Sequence, residues 1–240
     1  MFARLTSATP IGVADVDDEE RRVPDAVSYT HDTPERRPTR LWEVQNAVTA
    51  LADFESHKET TCYTYGQFSL IDAVVALLDK TGPAHMDVCT WTVGIADMAR
   101  VYELIEAGRI LSVRWVVDQG FESRQPGYCE YFRHLYGDER IRTLRAHAKF
   151  ILLRNEQWDI IIRTSMNLNQ NTRFEHLDVT DDPKLSQWHR SVIDGIFETE
   201  TLGDFKPKSN VEVNGVAAAE HAGKVKRGRV ESRGRVNVGT

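Results

Sequence analysis

The chain has 240 residues and a mass of 27.3 kDa, with 41% hydrophobic and 28% charged residues, ordinary for one globular domain with appendages or for two small domains. No stretch approaches the roughly 18 apolar residues of a membrane span, and the acidic run Asp15, Asp17, Asp18, Glu19, Glu20 argues against a secretory leader. Three scattered cysteines, Cys62, Cys89 and Cys129, exclude a disulfide framework or a CxxC zinc site and fit a reducing cytoplasm.

The net charge of −6 speaks against a general nucleic-acid binder, but its distribution does not. Residues 1–40 carry 6 basic and 8 acidic groups and residues 204–240 carry 8 and 4, which leaves 16 and 24 for residues 41–203. A basic end on an acidic body hints at a polyanionic partner.

In chain order, residues 1–40 combine Pro24, Pro34 and Pro38 with many charges and read as a flexible N-terminal arm. The body is 41–203. Trp42 to Phe54 reads as an amphipathic helix packed on it. Phe68, Ile71, Val74, Val75, Leu77 and Leu78 follow helical spacing, and Thr81-Gly82-Pro83 stops that helix. Met86 to Val93 is a short strand, Ile95 to Ala107 a second helix, and Ile110 to Val117 a strongly apolar strand. Trp91 and Trp115 are assigned to the core. This alternation predicts βαβ connections and a sheet that is at least partly parallel.

Residues 118–145 read as a long loop with a short helix near Tyr131–Leu135, and His134 as a loop residue. Ala148–Leu153 and Trp158–Ile162 read as a β-hairpin buried on both faces. Phe174–Val179 is one more strand, and Pro183 opens a helix with Leu185, Trp188, Val192, Ile193 and Ile196 on its apolar stripe. Residues 204–240 read as a disordered basic tail.

The chemistry is concentrated around the hairpin. His147 and Lys149 lie at i and i+2 where the first strand begins, so alternation places both on one face. Ser165 and Asn167 repeat that spacing after the return strand, and Glu175 follows. Four polar side chains can thus meet at one end of an apolar hairpin. The set suits a phosphodiester: imidazole is a nucleophile near neutral pH, ammonium and amide hold nonbridging oxygens, and a carboxylate orients the imidazole.

His147-Ala-Lys149, then Thr164-Ser165-Met-Asn167-Leu, then Asn171-Thr-Arg-Phe-Glu175, resemble the HxK, SxN and Glu signature of the phospholipase D superfamily. The resemblance covers about Gln67 to Phe197, and Met86 to Asp118 resembles the upstream part of such a domain. It implies an α/β fold in which a mixed, largely parallel sheet is flanked by helices in a single domain.

It also implies roles. His147 would attack phosphorus and form a phosphohistidine, Lys149 and Asn167 would bind the phosphate with Ser165 in support, and Glu175 would orient an imidazole, a task that His176 or Asp178 could take instead. The family's reaction needs a second histidine, and this chain has one HxK. A homodimer with one composite site is therefore expected. No metal or other cofactor is implied.

Two positions depart from the family pattern. Arg154 stands where an Asp is usual five residues after the Lys, and Thr164 stands where a Gly often precedes the Ser. Arg173 and Arg163 are extra phosphate contacts or solvated charges. In the tail, Lys226 precedes two Arg-Gly-Arg units, Arg227 with Arg229 and Arg233 with Arg235, which are similar to AT-hook arms without the usual following Pro.

The expected activity is metal-independent cleavage of nucleic acid, as a DNA endonuclease, in the cytoplasm and without a membrane partner. A non-catalytic DNA-binding scaffold on the same fold and a phospholipid phosphodiesterase are the alternatives.

Overall fold

A computed structural model describes residues 45–170 and 172–199. The arm at 1–40 and the tail at 204–240, with Lys226, Arg227, Arg229, Arg233 and Arg235, lie outside the described residues.

The described chain runs α1 (Ala47–Ala50), β1 (Glu59–Thr64), α2 (Leu70–Thr81), β2 (Ala84–Thr90), α3 (Ile95–Glu106), β3 (Ile110–Asp118), α4 (Phe121–Arg124), α5 (Pro126–Tyr136), β4 (Ile141–Leu144), β5 (Phe150–Arg154), β6 (Asp159–Thr164), β7 (Glu175–Asp181) and α6 (Pro183–Thr199). The strands form one sheet of seven in the order β1-β7-β6-β5-β2-β3-β4. The expected α/β class with a mixed sheet is the class found. The parallel share is smaller than expected: β2–β3 and β3–β4 are parallel, whereas β1–β7, β7–β6, β6–β5 and β5–β2 are antiparallel. β2, β3 and β4 are neighbours joined by helical crossovers and so run parallel; α2 likewise carries the chain from β1 to β2, but β1 lies at the far edge of the sheet and pairs with β7.

Both sheet faces are covered. Met86, Val88, Val113, Trp115, Ile151, Leu153, Ile160, Ile162, Leu177 and Val179 point to the main core beneath α1, α2, α3 and α5. Cys89 and Val116 point the other way and meet Ile193 and Ile196 of α6. Burial on both sides explains why β5 and β6 are near-continuous apolar runs. Their hairpin is closed by Asn155, whose Oδ1 accepts from the N–H of Gln157 and Trp158 while its Nδ2 donates to Thr81 O and Pro83 O.

Three regions differ from the sequence reading. β1 is a strand that its polar sequence conceals: only Cys62 and Thr64 face the core, because β1 is an edge strand paired solely with β7. Residues 118–145 are not a long loop. Pro126 starts α5, and Cys129, Phe132 and Tyr136 bury one stripe of it, with Phe132 and Tyr136 packed on Trp115 at 5.0 Å each. Gly137, at φ 75°, ends that helix, and β4 follows.

Finally, the helix expected over Trp42–Phe54 is one turn, Ala47–Ala50, within the described residues. Lys80 Nζ donates to Ala52 O (2.9 Å) and to Phe54 O (3.4 Å), so the chain beyond Ala50 has carbonyl partners without continuing the helix, and Leu51 and Phe54 still reach the core.

Candidate active site

Register brings the signature residues to one end of the sheet. β2 ends there, beside the start of β5 at the pair Cys89–Phe150. β6 ends there too: Phe150 pairs with Arg163, and Thr164 N–H donates to Lys149 O at 3.2 Å. β7 begins there, with Ser165 N–H donating to His176 O at 3.3 Å, and β1 ends there with Thr64 opposite Glu175.

His147 lies in the irregular segment before β5 and is exposed, although its neighbour Ala146 is buried. Cys89 Sγ donates to Ala148 O at 3.6 Å, which ties the backbone between His147 and Lys149 to β2. That thiol is pushed up to about 12 by burial, with Lys149 as a smaller opposing influence, and stays protonated. Lys149 Nζ donates to His147 O at 2.9 Å and stands 3.4 Å from His147 Nδ1. Burial holds the Lys149 ammonium below its ordinary 10.5, partly offset by Glu175 and then Cys89.

Glu175 is nearly buried and accepts a hydrogen bond from the Ser165 hydroxyl, whose oxygen in turn accepts from His176 N–H at 3.0 Å. Ser165 therefore joins the start of β7 to the Glu175 carboxylate. Strand alternation turns His176 and Asp178 to the face opposite Glu175. Met166 and Leu168 plug into the core on alternate positions, and Leu168 O accepts from Gly94 N–H at 2.6 Å. Asn167 Oδ1, between these anchors, is shielded from solvent and has no hydrogen-bond partner among the described residues. Such an atom costs about 1–3 kcal/mol unless a ligand pairs with it, or unless the amide turns to present its N–H groups.

Several further residues were assigned differently from sequence. Trp91 is half-buried rather than core: its ring lies 5.8 Å from that of His147, and Arg124 covers it at 4.2 Å. Arg124 is itself held by Asp118 Oδ1 at 2.6 Å and Trp91 O at 3.1 Å. This stack backs the imidazole, and no local sequence pattern points to it. Trp115 is core, as expected. His134 is exposed on α5 rather than in a loop. Arg163 is paired with Glu59 at 2.8 Å, whereas Arg173 is exposed.

Arg154, in place of the usual Asp, donates to Asp87 Oδ2 at 3.0 Å. Asp87 also takes a bidentate pair from Arg114 at 2.7 and 3.0 Å. The carboxylate at this point of the sheet thus comes from β2 instead of β5.

Asp97, in the first turn of α3, is buried beside the site loop: a Cβ on Gly94 would meet Asp97 Oδ2 at 3.1 Å and Asn169 Cβ at 3.4 Å. Burial, and then the nearby charge of Asp72, raise its carboxyl from 3.8 to about 6. A carboxyl raised by folding gives its stability below the unfolded value and loses it as pH climbs through about 6. Asp97→Asn should therefore match the wild type in urea denaturation at pH 3.5 and exceed it by about 1–3 kcal/mol at pH 8. An equal difference at both pH values would contradict this.

No family model and no curated protein matches the chain. Among solved structures, it is similar to NucT from Helicobacter pylori at 14% identity and TM-score 0.46, over 60% of this chain and 99% of that one. It is similar to Nuc from Salmonella typhimurium, a phospholipase D family member, at 14% identity and TM-score 0.43, over 60% and 98%. A phosphatidylserine synthase from Haemophilus influenzae matches at 14% identity and TM-score 0.47, over 69% of this chain and 44% of that one. The described residues form an α/β domain with a seven-stranded mixed sheet that carries His147, Lys149, Ser165, Asn167 and Glu175 at one end. No helix among them is long and apolar enough to cross a membrane.

Proposed function

We propose that this protein is a phosphodiesterase that cleaves nucleic acid, as a DNA endonuclease, through a phosphohistidine at His147. The observation that carries this reading is the gathering of His147, Lys149, Ser165, Asn167 and Glu175 at one sheet end, from segments that start or leave three different strands, β5, β6 and β7.

A phosphodiester sits with its nonbridging oxygens on Lys149 and Asn167, where charge builds as phosphorus becomes pentacoordinate. Nε2 of His147 attacks phosphorus, the P–N bond forms, and the bond to the leaving oxygen breaks. In the ligand-free arrangement the Lys149 ammonium faces Nδ1. A bound phosphate draws it away and leaves Nδ1 for a carboxylate, which makes Nε2 the basic nitrogen. The leaving oxygen takes a proton from a second imidazole. That imidazole then deprotonates water, which attacks phosphorus and breaks the P–N bond.

The second imidazole is His147 of another copy, placed by a two-fold axis in a homodimer with one composite site. Supporting this, His147 is exposed and His176 points to the other sheet face.

The test is hydrolysis of a labelled oligonucleotide in excess EDTA, with acid-labile label trapped on His147. Cutting that requires a divalent metal would overturn the mechanism. The pH profile offers a second check. Because Lys149 loses its proton below 10.5, the alkaline limb of kcat/KM should fall below that pH. Glu175→Gln removes the charge that favours the ammonium, so the limb should move lower still. A limb that rises or stays put would remove Glu175 from the neighbourhood of the reacting lysine.

A further inference from the structure

The nucleophile of the proposed reaction has little to aim it. His147 is exposed and lies outside any strand, and among the described residues its one polar side-chain neighbour is Lys149, whose Nζ stands 3.4 Å from Nδ1. The backbone on either side is fixed: Ala146 is buried, and Ala148 O accepts from Cys89 Sγ at 3.6 Å. Rotation about the His147 side-chain bonds is what remains, with staggered choices at χ1 and a broad range at χ2. That freedom bears on rate, because a ring nitrogen attacks only when its lone pair is aimed at phosphorus.

Trp91 is the ring that meets this imidazole. The two centroids are 5.8 Å apart and the planes lie at 54°, a tilted aromatic pair. The backbone of Trp91 is held just past β2, where Thr90 Oγ1 donates to Thr92 O at 3.1 Å and Val93 bridges to Leu168. Leu168 follows Asn167, so the same bridge joins the Trp91 segment to the loop that carries the site amide.

The indole is held as well. The Arg124 guanidinium lies 4.2 Å from its ring centre and donates to Trp91 O at 3.1 Å. Asp118 Oδ1 holds Arg124 at 2.6 Å and also accepts from Gly120 N–H at 3.1 Å. Gly120 has a φ of −76°, open to any residue, yet a Cβ there would stand 2.6 Å from Arg124 Nη1 and 3.0 Å from Asp118 Oδ1. A side chain at 120 would push the guanidinium aside. Trp91 packs in neither hydrophobic core, so core packing does not account for the arrangement.

We propose that Trp91, clamped by Arg124 and Asp118 across Gly120, is a positioning residue that restricts the rotamers of His147 and so speeds formation of the phosphohistidine. The role rests on the reading of His147 as the nucleophile. Trp91 acts through the imidazole and needs no contact with the substrate, so it should set the rate of the chemical step and leave binding alone.

The test uses the full chain and a labelled oligonucleotide in excess EDTA. The single-turnover rate of label transfer to His147 should fall about tenfold in Trp91→Leu and in Gly120→Ala, with Kd for the oligonucleotide within about twofold of the wild type. Trp91→Phe should keep the rate within about threefold, since it restores a ring. The His147 ring-proton resonances, assigned by their loss in His147→Asn, should move toward free-histidine positions in Trp91→Leu. Should Trp91→Leu fail to fold, Gly120→Ala decides, because it adds one methyl group and leaves Trp91 in place. Unchanged transfer in both variants, with His147→Asn inactive, would overturn the positioning role and leave the nuclease reading intact. Weaker binding at an unchanged transfer rate would assign Trp91 to the substrate and overturn the role as well. A wild type that cuts no oligonucleotide, or cuts it without label on His147, would overturn the nuclease reading itself, and the positioning role would fall with it.

Discussion

His147→Ala should lower phosphodiester hydrolysis in EDTA by a factor of about 10⁴ or more, because removal of a covalent nucleophile leaves only binding and charge stabilisation to act. The melting temperature should not move: His147 is exposed, and its side chain supports no core packing. Lys149→Ala keeps the nucleophile and loses one contact to the developing charge, so its expected loss is smaller, about 10²–10³-fold. The order of these two losses is the informative result. Hydrolysis that survives His147→Ala would show that another group attacks phosphorus, and the signature would then be a binding site without its chemistry.

Asp87→Ala should destabilise the fold by about 3–5 kcal/mol, read from urea midpoints at unchanged slope. Asp87 has a side-chain exposure of 3% and is the shared acceptor of Arg114 and Arg154, whose side chains are 27% and 14% exposed. Its removal strands two cations against the sheet beneath α6, with only Asp194 left to pair with Arg114 at 2.7 Å. Arg154→Met should cost much less, since Asp87 keeps its bidentate partner and the methionine fills the same space. If Asp87→Ala were as mild as Arg154→Met, the network would be a solvent-screened surface pairing. Arg154 thus belongs to a charge network between β5, β2 and β3, at another point of the sheet from His147 and Lys149.

Much of this was legible in the sequence. The i, i+2 spacing of His147 with Lys149 and of Ser165 with Asn167 marked the two pairs, although both lie just outside β5 and β6, where regular strand alternation no longer fixes a common side. The apolar runs on either side of Asn155 define the hairpin that brings those pairs together. Helical periodicity located α2, α3 and α6 because their apolar stripes are long enough to register. β1 was hidden because an edge strand with one side in solvent needs only Cys62 and Thr64 to be buried. Of α5 only the part near Tyr131–Leu135 was legible as helix, because its stripe of Cys129, Phe132 and Tyr136 is diluted by polar residues.

What local pattern determined, then, is the set of groups suited to phosphodiester chemistry and the end of the hairpin at which they gather. Which distant group each of them meets was decided only by the tertiary structure. Ser165 holds Glu175, Trp91 and Arg124 back His147, Arg154 finds its carboxylate on β2, and Tyr63 and Tyr65 stack on a phenylalanine more than a hundred residues away. The physical reason is that register between strands far apart in sequence is set by long-range hydrogen-bonded pairing and by burial of both sheet faces. Neither leaves a period that a short window of residues can carry.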